Sequence, residues 1–345
     1  MMRANNKKIL GVVFVVFLIV CSFPFFMTGN STLPIDEINQ LRSNDLKVSG
    51  NVKTFNSKKE PVFLKFTTPA QRVAVDRTDN LESLLYLGQG DKLVWVSVRE
   101  NNESWRSLWR KYPKEMKKVK DILYRDNVLE SIIMANPDLI IGWQSTFIES
   151  RLRDTGWWKK RGVKTYIVAT SNSVQMESTI EDEIQYLEDM GKIFHKEAKV
   201  KKYIESVEKI LCNKTPASKK INSAIVELRG RNIVNYNRKK LVGNMVEQLG
   251  GAVNISETHI SPERLLEENP EVIFVVFLED KDKSSIRKYF MGRQLESLQA
   301  VQNRRIYYVQ LDYIYSPGFK IQEGLQMINE GLYPNKNNHL IEKVI

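Results

Sequence analysis

The sequence predicts an α/β protein of two lobes, each built on a parallel sheet, joined by a long helical segment. Three observations carry this. From Arg72 onward, short apolar runs alternate with amphipathic stretches. One segment, in which a glutamate leads through an apolar stripe to an Asn-Pro-acid triplet, occurs twice, far apart. Between the copies, a helical pattern extends from Ser178 to about Cys212.

The amino end carries Arg3, Lys7 and Lys8, followed by Ile9 to Val20, apolar apart from Gly11. A charged region before an apolar run of this length reads as an export signal. A buried helix of a cytosolic protein fits poorly, because Gly11 to Val20 offers water no polar face. Leu18-Ile19-Val20-Cys21 resembles the bacterial lipoprotein cleavage box, with Cys21 as the lipidated residue and Val20 where a small residue is usual. If nothing cuts, Ile9 to Met27 provides 19 residues, enough to span a bilayer, with Ser22 and Pro24 as weak points. Each variant leaves the body of the protein outside the cytoplasm. The expected organisation is a signal or anchor over 1–29, a tether over 30–60 with one or two strands near its end, a first lobe over 61–178, a linking helical segment over 179–214, a second lobe over 215–335 and a tail over 336–345.

Arg72 to Asp76 reads as a strand, Leu81 to Leu87 as a helix and Asp91 to Val98 as the next strand. The first copy of the repeat runs from Val128 through Glu130 to Asn136-Pro137-Asp138 and into Leu139 to Trp143. The second runs from Ser261 through Glu263 to Asn269-Pro270-Glu271 and into Val272 to Val276. In each, a short helix ends at the proline and a strand buried on both faces follows. Ile132 and Ile133, like Leu265 and Leu266, form the expected buried stripe. Asn127 and Ser261 suit N-caps, and Pro262 suits the first helical position. Ser178-Thr-Ile-Glu181 has capping-box form, Gly191 and His195 mark a break, and Ser223 to Leu228 opens the second lobe as a strand.

Composition narrows the function. Of 345 residues, 42% are hydrophobic and 27% charged, which describes a folded protein with a formal net charge of +11. The basic residues are interspersed with acids, as in Lys111 to Lys118, and no nucleic-acid-binding pattern occurs. Cys21 and Cys212 are the only cysteines, too few for a disulfide framework or a thiolate zinc site. His195, His259 and His339 lie far apart in no ligand spacing; only His259, beside the second repeat, is placed to approach a bound ligand. Gly88-Gln-Gly90 lacks the lysine of a phosphate loop, and no nucleophile motif is present. Trp157 and Trp158 read as outer cover of the first lobe, and Trp105 with Trp109 as a packed helical face.

At this point the chain resembles the helical-backbone substrate-binding proteins of ABC importers for cobalamin, haem and ferric siderophores. The resemblance rests on the strand–helix–strand from Val73 to Ser97, on Glu130 to Ile140, and on Leu249-Gly-Gly-Ala-Val-Asn254. Ser261 to Ile273 and Leu298 to Val309 complete it, so that it covers roughly 70 to 333. It implies two Rossmann-like lobes of the class III periplasmic-binding-protein fold. It also implies a metal chelate as ligand, an ABC permease with its ATPase as partners, and a membrane reached through the amino-terminal segment. No resident cofactor, nucleic acid or catalysis is expected, and the chain is read as a monomer.

In that family one glutamate on each lobe pairs with permease arginines, and motif position assigns the role to Glu130 and Glu263. Both sit in a first helical turn, where the helix dipole favours a carboxylate; completing a helix start is the simpler structural role. Ligand contacts are expected from loops at the carboxyl ends of strands: Ser97, Val98, Arg99, Trp143, Gln144, Ser145, Arg229, Tyr236, Asn237, Tyr313 and Tyr315. Aromatic rings beside cations suit a flat or aromatic chelator, and arginines suit carboxylates or phosphates. An exported enzyme, a permease-independent sensor and an oxyanion ligand remain as alternatives.

Overall fold

The computed structural model describes residues 51–334 and 340–345, apart from 99, 101, 125–128, 172–173, 213–218 and 231. The signal or anchor with Cys21, the Asn127 cap, Arg99 and His339 therefore lie outside the described residues. The first lobe begins with a hairpin of β1 (Asn51–Phe55) and β2 (Pro61–Lys65), antiparallel to each other. Val52 is fully buried, and the Thr54 hydroxyl donates to the Ile167 carbonyl at 3.0 Å, so this part of the expected tether belongs to the lobe.

The lobe continues through β3 (Val73–Asp76), α1 (Thr78–Leu87), β4 (Leu93–Ser97), α2 (Glu103–Lys111), α3 (Pro113–Val119), α4 (Leu129–Ala135), β5 (Leu139–Gly142), α5 (Thr155–Lys159) and β6 (Lys164–Ile167). The four strands form a wholly parallel sheet in the order β4-β3-β5-β6. Every residue of β3 and β5 is buried, as a parallel strand covered on both faces requires.

Two helices follow, α6 (Ile180–Phe194) and α7 (Glu197–Cys212). Thr179 caps α6 in a reciprocal pair with Asp182, and His195 closes it in the left-handed conformation, φ 51°. The chain turns there, so the helical segment is two helices rather than one rod. Helix α6 touches both lobes: the Tyr186 hydroxyl donates to Ser83 on α1 at 2.9 Å, and the Ile180 amide donates to Asn244 of the second lobe at 3.0 Å.

The second lobe holds β7 (Ile221–Arg229), β8 (Asn232–Asn235), α8 (Leu241–Gln248), β9 (Gly251–Ala252), β10 (His259–Ile260), α9 (Pro262–Glu268), β11 (Val272–Phe277), α10 (Asp282–Phe290), α11 (Gln299–Gln302), β12 (Ile306–Gln310), α12 (Ile321–Leu332) and β13 (Glu342–Lys343). Its centre, β7-β11-β12, is parallel, while β8, β10 and β13 add antiparallel edges. Residues 340–345 are not a free tail: β13 pairs with β12, and Val344 is buried. His259 lies on β10, exposed.

The repeated segment does the same structural work twice. Asn136 and Asn269 both take the left-handed conformation, with φ 44° and 48°. Asparagine is one of the few L-residues that enters this region readily, which is why it precedes each proline. The following acids also match. Asp138 accepts the Gln71 amide at 2.8 Å and Glu271 the Asn222 amide at 3.3 Å, each at the start of the neighbouring strand. Ser261 and Pro262 cap α9 as expected, the Ser261 hydroxyl accepting from the Arg264 amide. The stripe differs: Ile132 and Leu265 are buried and Leu266 is half-buried against its core, but Ile133 is 43% exposed.

The outer faces of the two sheets have separate cores. Trp95, Ile140 and Trp158 lie in the first, and Val275, Ile286 and Phe290 in the second. The inner faces share one continuous core. It passes from Val75 and Leu139 through Leu187 of α6 to Phe274 and Leu325. Burying a large apolar side chain stabilises by about 1.5–3 kcal/mol, so a shared core resists separation of the lobes. Trp105 is buried and meets Trp109 edge-on, and Trp158 is buried beside half-buried Trp157.

Candidate functional site

The carboxyl ends of β3, β4 and β5 face the loop that follows β12. Trp143, which leaves β5, meets Tyr315 of the second lobe with ring centroids 5.3 Å apart. Its indole N–H donates to Asp79 at 3.1 Å, and the Arg77 guanidinium lies 4.6 Å from its ring. Arg77 has φ 88°, and its amide donates to the Ser97 carbonyl at 3.0 Å, tying the exits of β3 and β4 together. Asp76, buried, receives the Thr146 hydroxyl and lies 3.5 Å from Arg151 and 3.7 Å from Arg77. A third ring would need about 7 Å between the flanking planes, so a flat ligand must push Trp143 and Tyr315 apart to lie between them.

Beside this pair the interface is polar and deep. Asp79 keeps some contact with solvent but lies far inside the protein mass. Burial pushes its carboxyl up to about 7, against the Trp143 hydrogen bond and the Lys320 charge, which pull it down. On α6, burial pushes Glu183 up to about 8, although the Gly318 amide donates to it at 3.2 Å and the Thr170 hydroxyl at 3.4 Å. The Thr170 and Ser316 hydroxyls also lie 3.0 Å apart, within hydrogen-bond distance, a second link between lobes. Gly318 has φ 56°, and a Cβ there would stand 2.9 Å from the Ser83 hydroxyl and 3.2 Å from the Tyr186 ring; only glycine fits this approach.

A charged cluster closes the far side. Lys320 lies 3.3 Å from Glu82 and 3.6 Å from Asp312, while Lys111 lies 3.1 Å from Glu82 and 3.5 Å from Glu323. Burial lowers the Lys320 ammonium's proton affinity, but Glu82, Asp312 and Asp79 outweigh it and hold the group well above the usual lysine range. The Ser104 hydroxyl donates to Asp312, so α2 joins the same cluster. Between Ser104, Arg110, Tyr313 and Lys320 a space of about 90 Å³ remains.

The expected ligand residues are dispersed around this centre. Trp143 and Tyr315 pack together with their planes 54° apart, Tyr236 and Tyr315 border one small gap with Thr170, and Tyr313 borders the space beside Lys320. Arg229 is held by Glu227 through two hydrogen bonds of 2.7 and 2.9 Å, and the Tyr236 hydroxyl donates to the same carboxylate at 2.7 Å. The Gln144 side chain donates to the Ser57 carbonyl at 3.3 Å, and the Asn237 side chain to the Ser256 carbonyl at 2.6 Å, each within its own lobe. Ser97 is buried at the β4 exit. Glu130 and Glu263 are both exposed at helix starts, and the Ser261 hydroxyl holds the Glu263 carboxyl below its usual range.

Sequence reasoning missed Asp76, Arg77 and Asp79. Asp76 ends β3 and Arg77 leaves it, so the strand-exit rule that selected Trp143 would have found these two, whereas Asp79 lies in the first turn of α1. Glu82, Asp312 and Lys320 had no such signal. Among the described residues no cluster of His, Cys, Asp or Glu is arranged to hold a metal ion, and no helix is long and apolar enough to cross a membrane.

The comparisons agree with this architecture. A family model described as periplasmic binding protein matches residues 73–313. The uncharacterized ABC transporter substrate-binding lipoprotein YvrC of Bacillus subtilis is 24% identical over 268 residues, covering 74% of this chain and 78% of its own. A periplasmic binding protein from Veillonella parvula superposes with a TM-score of 0.75 at 26% identity, over 84% of this chain and 93% of that one. The petrobactin-binding protein YclQ of Bacillus subtilis gives 0.60 at 18% identity, over 83% and 99%, and shares the fold. The family and these relatives are substrate-binding proteins. A matched span that includes both lobes and the helices between them makes this chain a member of the periplasmic binding protein family, with its helical-backbone fold.

Proposed function

We propose that the chain is the extracytoplasmic receptor of an ABC importer, and that it captures a metal chelate between its lobes and delivers it to the permease. The observation that carries this reading is the Trp143–Tyr315 pair, one ring from each lobe, with Arg77 against the indole. Two rings in tilted contact, 54° between their planes, beside a cation suit an aromatic, anionic chelate: a ferric siderophore before haem or cobalamin. The family membership and the lipoprotein relative support a place outside the cytoplasm, with the amino-terminal segment, through Cys21 or as an uncleaved span, holding the chain on the membrane. Glu130 and Glu263, one exposed on each lobe, are the proposed contacts with the permease.

Tryptophan fluorescence titration against ferric siderophores, haem and cobalamin tests the ligand class, since Trp143 would be covered on binding. Trp143→Ala should weaken the tight binder by about tenfold or more. An unchanged affinity removes the aromatic pair from the site, and no response to any chelate overturns the ligand class.

A further inference from the structure

The outer side of the first lobe has a groove separate from the cleft. It opens between the β1–β2 hairpin and the segment from Asp154 to Thr165, and has a volume of about 810 Å³. Val62, Leu64 and Val163 contribute its apolar lining, and Phe63 at its edge is 69% exposed. Lys58, Lys65, Lys159 and Lys164 converge on it. The two acids there are engaged: Glu60 accepts the Asn56 side-chain amide at 2.7 Å, and Asp154 caps α5 through the Trp157 amide at 3.0 Å. Among the described residues no carboxylate lies in ion-pair reach of Lys58, Lys65 or Lys159, and the Lys164 ammonium lies 5.0 Å from the Phe66 ring.

The four lysines outnumber the two carboxylates of the groove, and a net positive field around an apolar floor attracts anions. We propose that this face lies on the anionic phospholipid surface of a membrane, the lysines taking headgroup phosphates and Phe63 entering the interfacial layer. A bilayer supplies both halves of the match, phosphates in number and an apolar layer beneath them, whereas a small free anion would leave Phe63 in water. The hairpin is also the first element after residue 50, and so the part of the fold nearest along the chain to the apolar run Ile9 to Val20. The inference stands apart from the identity of the ligand.

The test is amide hydrogen exchange on the full chain in nanodiscs of phosphatidylcholine alone, or of phosphatidylcholine with phosphatidylglycerol. Residues 51–65 and 154–165 should exchange about tenfold more slowly on the anionic discs, and the protection should fade at high salt. Each basic group near an anionic surface strengthens attachment about fivefold. Lys58→Glu, Lys65→Glu and Lys159→Glu together should therefore abolish the protection while thermal melting stays unchanged. Phe63→Ser, which keeps every charge, should weaken it in part and serves as the second variant should the triple variant melt early. Equal exchange on both discs, protection that survives charge reversal, or protection seen only with permease in the disc would each overturn the proposal.

Discussion

The Lys320 ammonium lies 3.3 Å from the Glu82 carboxylate, and both groups are almost wholly buried although they come from different lobes. Removing one partner of such a pair leaves a charge stranded out of water, at a cost of about 3–5 kcal/mol. Lys320→Met is expected near the lower end, because Glu82 keeps Lys111. Lys320→Met combined with Glu82→Gln should lose less than the sum of the singles. Urea denaturation of the three variants measures this; additive losses would show that the pair is not coupled.

Stability should fall as pH rises through the neutral range. Asp79 and Glu183 have ordinary values of 3.8 and 4.5 but reach about 7 and about 8 in the fold. The folded protein therefore holds protons that the unfolded chain has released, and the slope of stability with pH is negative between those limits. The advantage is complete below about pH 4 and gone above about pH 8. Melting temperatures across this range should decline, and Glu183→Gln, which still accepts the Gly318 amide, should flatten the decline. A profile that rises toward pH 8 in both proteins contradicts the assignment.

Gly324 on α12 should govern the proposed ligand loop from behind. A Cβ there would stand 2.1 Å from the Tyr313 carbonyl, so Gly324→Ala must shift the loop that carries Tyr313 and Tyr315. A loss of about 1–3 kcal/mol in stability is expected, together with weaker chelate binding. Unchanged affinity in a destabilised variant would separate that loop from the site.

Glu130 and Glu263 are exposed, so reversing both charges should leave folding and ligand affinity intact. Uptake by cells carrying Glu130→Lys with Glu263→Lys should fall at least tenfold, as expected when interfacial charge pairs become repulsive. Uptake at the normal rate would remove both residues from the docking surface.

The parallel strands were legible because strands buried on both faces leave an unbroken apolar signature, as Val272 to Phe277 does. The repeat was legible for a different reason: Asn136 and Asn269 satisfy a backbone conformation that few residues tolerate. Trp143 could be placed by a rule about strand ends, and the same rule covers Arg77. Glu82, Asp312 and Lys320 could not be placed. Each reads as an ordinary surface charge until the chain returns from the second lobe and brings them together, and no local pattern encodes that return.

That return has a temporal consequence. Residues 316–320 are made near the end of the chain, yet they supply the Gly318 amide to Glu183, the Lys320 ammonium to Glu82 and the Ser316 hydroxyl that meets Thr170. A polypeptide crossing a membrane amino end first thus presents Glu82 with Lys111 but without Lys320, and Glu183 with Thr170 but without the Gly318 amide. Contacts so distant in sequence slow folding, and the first lobe should reach its full protection from proteases only once the last helix has emerged. Truncation before residue 316 should therefore leave both lobes unfinished rather than only the second.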